Sequence, residues 1–246
     1  ALVWLGFVGD DNRLRYFRPD SVRVSVSTAV SHDELQDNYV YDYAIRNGNE
    51  SKQFLSGFVI QTRSDGVVPR NVGNAYVGMM GQHLDEFSDG SWIRFGNDYF
   101  GESVEPGSNA KASLEASSHP GIVQYRVHGG PMKIMGIGEE PPNELEELLP
   151  RYATWPYGFA LGPDRNAPGS NTSLETQLNY LLDRTRAFRL SLPGVEFQHL
   201  VSTLEALVNP SGFVTTRDNA CRRIWRLDDP TGLNVVMHQY LGCAST

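Results

Sequence analysis

The sequence predicts an α+β protein, with an N-terminal antiparallel β-sandwich followed by a C-terminal helical region of about four helices. Three observations carry this expectation. Apolar side chains alternate with polar ones at period two up to about residue 130. From residue 171 onward they recur at helical spacing instead. Between the two lies a stretch rich in Gly, Pro and Glu. The expected organisation is therefore a sandwich domain over 1–130, a linker over 131–170 and a helical region over 171–246.

In order along the chain, Ser21–Val30 sets Val22, Val24 and Val26 against Arg23, Ser25 and Ser27, as a strand with one wet face does. Asn38–Asn47 places Tyr39, Tyr41, Tyr43 and Ile45 on one face and closes on Asn47-Gly48-Asn49. Phe54–Thr62 follows at once, so Tyr39–Thr62 reads as an antiparallel hairpin. Shorter strand-like pieces come at Tyr76–Met80, Trp92–Phe95, Lys111–Ala116 and Gly121–His128. Asp65-Gly66, Asp89-Gly90, Pro106-Gly107 and Pro120-Gly121 supply the turns between them. Seven short strands punctuated in this way suit two antiparallel sheets packed face to face.

The helical half opens on Thr172-Ser173-Leu174-Glu175, a capping box with Thr172 at the N-cap and a carboxylate three residues on. Leu174, Leu178, Leu181, Leu182, Thr185 and Phe188 then hold one face. A second helix between Pro193-Gly194 and Asn209-Pro210 shows Phe197, Leu200, Val201, Leu204, Leu207 and Val208 on one stripe. Thr216–Leu227 and Thr231–Leu241 read as two further short helices around Asp228-Asp229-Pro230.

Charge narrows the partners. The net charge is −8, which makes a nucleic-acid phosphate backbone an unsuitable ligand. The excess acid is concentrated in residues 71–150, which carry 12 acidic and 4 basic side chains. No run reaches the ~18 apolar residues of a membrane span. The chain begins at Ala1 without methionine, as after signal-peptide removal, and its two cysteines lie close together near the other end. Both features point to an extracellular or cell-surface location, in which Cys221 and Cys243 form one disulfide. In a cytosolic chain the same pair would be two buried thiols. A symmetric hairpin of the last two helices sets Cys221 opposite Val236, roughly ten ångströms short of Cys243. Gly242 must therefore fold the tail back.

Tyr41-Asp-Tyr43-Ala-Ile45-Arg-Asn47, Gly57-Phe58-Val59-Ile60, the Trp92–Phe95 strand, Pro106-Gly107-Ser108 and Ser117-Ser118-His119-Pro120-Gly121-Ile122 occur in that order. In that order they resemble the β-sandwich domain of uncharacterised secreted bacterial proteins, over residues 20–130. The resemblance implies a secreted sandwich and supplies no catalytic residues. Leu114 and Ala116 stand where such proteins commonly carry phenylalanine.

Motifs for a serine nucleophile elbow, a zinc-protease helix, a P-loop and a dinucleotide fold are absent. His32, His83, His119, His128, His199 and His238 show no metal-ligand spacing. Asp85, Glu86, Asp89 and Asp98 are weak calcium candidates beside a solvated-turn reading, because Phe87 and Gly96 break the EF-hand pattern. Glu139, Glu140, Glu144, Glu146 and Glu147 are either a source of a glycosidase pair or an acidic helix start. Trp155, Tyr157 and Phe159 offer either a ligand or partner contact, or a bridge between the two halves of the chain. Leu2, Val3, Trp4, Leu5, Phe7 and Val8 are too few to span a bilayer and too many to lie in water, which marks an assembly segment. It docks on its own sheet or adds to a neighbour.

The functional expectation is a secreted, non-catalytic structural or interaction protein, a self-assembling surface or filament subunit whose partner is itself or another surface protein. No cofactor is implied beyond the calcium candidates. The alternative is an extracellular carbohydrate-binding module or carbohydrate-active enzyme.

Overall fold

The structure is a computed structural model that describes residues 5–8, 14–17, 22–70, 91–95, 104–129, 156–189, 192, 194–210, 215–229 and 231–244. The strands are β1 (Leu5–Val8), β2 (Leu14–Phe17), β3 (Val24–Asp33), β4 (Asn38–Asn47), β5 (Leu55–Thr62), β6 (Val68–Arg70), β7 (Ser91–Phe95), β8 (Asn109–Ala116), β9 (Pro120–Gly129) and β10 (Tyr157–Pro163). Helices α1 (Leu174–Ala187), α2 (Gly194–Val208), α3 (Arg217–Trp225) and α4 (Leu233–Tyr240) follow. The fold class is the expected one. Two four-stranded antiparallel sheets, ordered β3-β4-β8-β6 and β10-β9-β5-β7, accompany a separate two-stranded ribbon, β1-β2.

The first sheet follows its sequence pattern closely. Tyr41, Tyr43 and Ile45 are buried on one face of β4 while Asp42, Ala44 and Arg46 are exposed, and Tyr39 is half-buried at the end of the strand. Their neighbours on β8 are small or aliphatic: Tyr41 lies opposite Leu114, Tyr43 opposite Ala112 and Ile45 opposite Ala110. Bulky rings beside alanines let this face meet Phe58, Ile60, Phe95, Val123 and Tyr125 of the second sheet in one core. Phe58 sits centrally, its ring 5.7 Å from those of both Tyr43 and Tyr125.

The hairpin expected over Tyr39–Thr62 does not form. β4 pairs with β3 and β8, whereas β5 pairs with β7 and β9 in the opposite sheet. The reason lies in β5 itself. Nearly all its residues are buried, with Phe58 and Ile60 in the sandwich core and Val59 and Gln61 buried as well, so it is a central strand rather than the partner of a half-wet one. Asn47 makes the crossing: its buried amide donates to the carbonyls of Gln53 (3.0 Å) and Val104 (2.8 Å). The hairpin that does form joins β3 to β4. The Asp33 carboxylate caps its loop by accepting from Leu35 N (3.0 Å), and Asp37 adopts a φ of 50°. The Tyr76–Met80 piece lies outside the described residues.

A third layer of helices covers the outer face of β9 and β10. Ile122, Phe159 and Leu161 point away from the sandwich into one core with Leu178, Leu181, Leu204, Ile224, Leu233 and Met237. β10 thus occupies part of the stretch expected as linker, where seven nearly all-buried residues complete the second sheet beside β9. An apolar run with glycine at two of its seven positions is easily read as a loop. It becomes a strand here because the helices bury its other face. Helix α1 starts one residue later than the capping box implies. Ser173 is the N-cap, accepting from Thr176 N at 3.2 Å, while the Thr172 hydroxyl donates to the Gly169 carbonyl.

Cys221 and Cys243 are bonded, with their Cα atoms 5.9 Å apart. The tail folds back where expected: Gly242 takes a φ of +65° and Cys243 N donates to the His238 carbonyl (3.1 Å). The chain-entropy contribution of such a loop is roughly 3 kcal/mol.

Two outcomes follow from this packing. Tyr43→Ala is expected to destabilise the fold by about 3–5 kcal/mol. Ala44→Ser, on the exposed face one residue away, is expected to stay within about 0.5 kcal/mol; urea midpoints measure both. Burial raises the pKa of Tyr41 and Tyr43 above its ordinary value of 10.0, and pushes Tyr125 up to about 12. The stability these rings give is complete below about pH 10, and above it the unfolded chain alone ionises. The urea midpoint is therefore expected to be flat between about pH 8 and 10 and to fall from there toward about 12.

Candidate functional site

The most organised polar constellation in the described residues centres on Asp164, fully buried at the corner just after β10. Its backbone sits beside the end of β5, with Arg63 N donating to the Pro163 carbonyl (2.9 Å) and Arg165 N to the Arg63 carbonyl (3.1 Å). Pro163-Asp164-Arg165-Asn166 is an Asx turn, in which Oδ1 of Asp164 accepts from Asn166 N at 2.9 Å. Oδ2 accepts from the Tyr180 hydroxyl at 3.0 Å and faces Nε of Arg63 (3.4 Å) and of Arg184 (3.6 Å). The same Tyr180 oxygen accepts from Ile122 N (2.9 Å), and Arg184 Nε and Nη2 both donate to the Ile122 carbonyl (3.0 and 2.9 Å). One strand residue therefore has both backbone groups held by one helix. Gly121 permits the approach, since a Cβ there would meet the Asp164 Cβ at 2.6 Å as well as the Tyr180 hydroxyl.

Burial, and then the Asp164 charge, raise the Tyr180 pKa, which keeps the phenol protonated as a donor. Burial, and then the neighbouring Arg63 charge, lower that of Arg184, with Tyr180 and Asp164 opposing them. A groove of about 440 Å³ opens beside the cluster, lined in part by Arg63, Asn166, Tyr180 and Arg184. The Asp164 carboxylate is shut away from it, and Arg184 spends two donors on a backbone carbonyl. This chemistry joins layers.

A second, larger groove of about 730 Å³ lies between α3 and the turn after α4. Arg217, Asp218, Arg222, Trp225, Arg226 and His238 are on its walls, and the Cys221–Cys243 disulfide is part of its lining. The Trp225 indole is 46% exposed and packs against the His238 ring at 5.0 Å. Sγ of both cysteines and a ring nitrogen of His238 lie within 4.8 Å of one another, the spacing of a soft-metal site. While the sulfurs are bonded to each other, neither is a thiolate ligand. Burial lowers the His238 pKa.

The structure brings together residues that the sequence scattered. His32 stacks on Tyr39 (4.5 Å), whose hydroxyl is 2.8 Å from Nδ1 of His119 in the turn between β8 and β9. The structure keeps Tyr157 and Phe159 in edge contact, their ring centroids 6.4 Å apart, but buries them unequally. Phe159 is 3% exposed in the core beneath the helices, packed on Phe188 at 4.6 Å, so it takes the bridging role; Tyr157 is 41% exposed. Trp155, the calcium candidates Asp85, Glu86, Asp89 and Asp98, and the glutamates of 139–147 lie outside the described residues. Of the expected assembly segment, Leu5–Val8 pairs with Leu14–Phe17, a strand the sequence reading did not anticipate.

Asp164, Tyr180 and Arg184 were also missed. A signal existed. Gln177, Tyr180 and Arg184 follow one another at helical spacing beside the apolar stripe, and all three are buried. No protein-family model matches the chain, and neither curated proteins nor solved structures provide a match.

Asp164→Ala leaves the Arg184 guanidinium buried without its counter-charge, and is expected to cost about 3–5 kcal/mol. Adding Arg184→Met should restore part of that loss. Denaturant midpoints of the two single variants and the double variant give the coupling directly.

Proposed function

We propose that this chain is a non-catalytic structural or interaction protein of the cell surface or extracellular space, which binds a second copy of itself or another surface protein through its N-terminal ribbon. The observation that carries the reading is that β1 and β2 pair only with each other, forming a two-stranded sheet hydrogen-bonded to neither four-stranded sheet among the described residues. A lone two-stranded ribbon is marginal in water. This one is rich in apolar residues: Leu5, Phe7 and Val8 on one strand, Leu14, Tyr16 and Phe17 on the other. Its outer edges carry backbone donors and acceptors that a strand from another chain would satisfy. The disulfide agrees with an oxidising compartment, and no described helix is long and apolar enough to cross a membrane.

Light scattering of the full chain and of a variant lacking residues 1–17 is the test. The full chain, alone or mixed with a surface-protein partner, should give a particle heavier than 27.4 kDa, its mass rising with concentration. The truncated chain should be a folded monomer. Particles of equal mass with and without the ribbon would overturn the reading.

A further inference from the structure

We propose that the groove between α3 and the turn after α4 binds an acidic oligosaccharide, a chain of sugar rings bearing carboxylates. The inference does not depend on the ribbon. Its first support is charge. The chain as a whole carries −8, yet among the described residues this groove presents Arg217, Arg222 and Arg226 against the single carboxylate of Asp218. Arg217 is held in place, donating to Gln177 Oε1 (3.0 Å) and to the Leu241 carbonyl. Arg222 and Arg226 are exposed and join no ion pair among the described residues. Arg222 makes one long bond to its own helix, 3.3 Å from Nε to the Asp218 carbonyl. Two unpaired guanidinium forks match planar carboxylates.

The second support is the aromatic wall. Trp225 sits between these arginines in sequence and lines the same groove with nearly half its surface open. What bears on a ligand is its place in the groove wall, where an apolar ring stands among guanidinium groups and suits a ligand of mixed character. A sugar acid has that character: C–H groups on one ring face lie against an indole while its carboxylate reaches a guanidinium. An acidic peptide supplies the charge but no flat apolar face of that size. The third support is rigidity. The disulfide fastens α3 to the Gly242 turn and His238 backs the indole, so little order is lost on binding. The volume, about 730 Å³, suits two or three rings.

The test is calorimetric titration of the full chain with an oligogalacturonate, with a neutral oligosaccharide of the same length and with polyglutamate. Binding of the oligogalacturonate alone, weakening as salt rises, is the expected result. Trp225→Ala should weaken it roughly tenfold while Trp225→Phe retains most of it. Arg222→Ala combined with Arg226→Ala should weaken it by roughly tenfold or more and flatten its salt dependence. Arg222 and Arg226 are exposed and Trp225→Phe keeps a ring against His238, so the double variant and Trp225→Phe should melt as the parent does, and a thermal melt checks that Trp225→Ala is folded. Deletion of residues 1–17 should leave the titration unchanged. Equal binding of the neutral sugar or of polyglutamate, no binding of the oligogalacturonate, or an unaltered affinity in Trp225→Ala would each overturn the proposal.

Discussion

A carboxylate with no access to water holds the layers of this protein in place. Asp164 is the point at which the end of β5, the start of β9, the end of β10 and the middle of α1 converge. Burying an unpaired carboxylate is prohibitive, so the fold must bring it the Tyr180 hydroxyl, two guanidinium groups and a backbone amide at once. Those partners come from elements far apart in sequence, and only one arrangement of sheet and helix supplies them all. Net stability from such a cluster is small because desolvation offsets attraction. Its consequence is positional: α1 cannot slide along β9 while Tyr180 and Arg184 hold both backbone groups of Ile122.

A second set of anchors fixes the far side of the helical layer. Gln239 of α4 donates to the Thr28 carbonyl on β3 (2.6 Å), and Val30 of the same strand packs against both apolar cores. Asp229 organises the start of α4, its two oxygens accepting from Thr231 and Asn234. With the disulfide closing α3 onto the end of α4, the helices are fastened to the sandwich at several separate places. The two apolar cores are thus the two faces of one sheet, and both proposed binding surfaces lie on elements outside it. That division is physically reasonable. Recognition surfaces keep exposed apolar groups and unpaired charge, which the interior cannot tolerate.

Much of the fold was legible locally. Alternation gave β3, β4, β8 and β9 to within a few residues, and helical spacing gave the buried faces of the first two helices and the places of two more. The Cys221–Cys243 bond, with Gly242 as the reversing residue, could be reasoned from spacing and glycine's tolerance of positive φ. The ribbon was half visible. Its first strand is conspicuous for its apolar run, whereas Leu14–Phe17 is four residues interrupted by arginine.

What the sequence alone determined was therefore the type of the strongly periodic segments, because strand and helix periods and cap chemistry are set by near neighbours. Which segment lies beside which was decided only in three dimensions. β4 and β5, adjacent in sequence, went to opposite sheets because β5 is buried on both faces and needed the centre of one. β10 became a strand only because helices covered it. The Asp164 cluster is the strongest case. Helical spacing relates Tyr180 to Arg184 but nothing in it reaches Asp164 or Arg63, and burial of the carboxylate at a corner shared by three strands and a helix is what gives the four a common role.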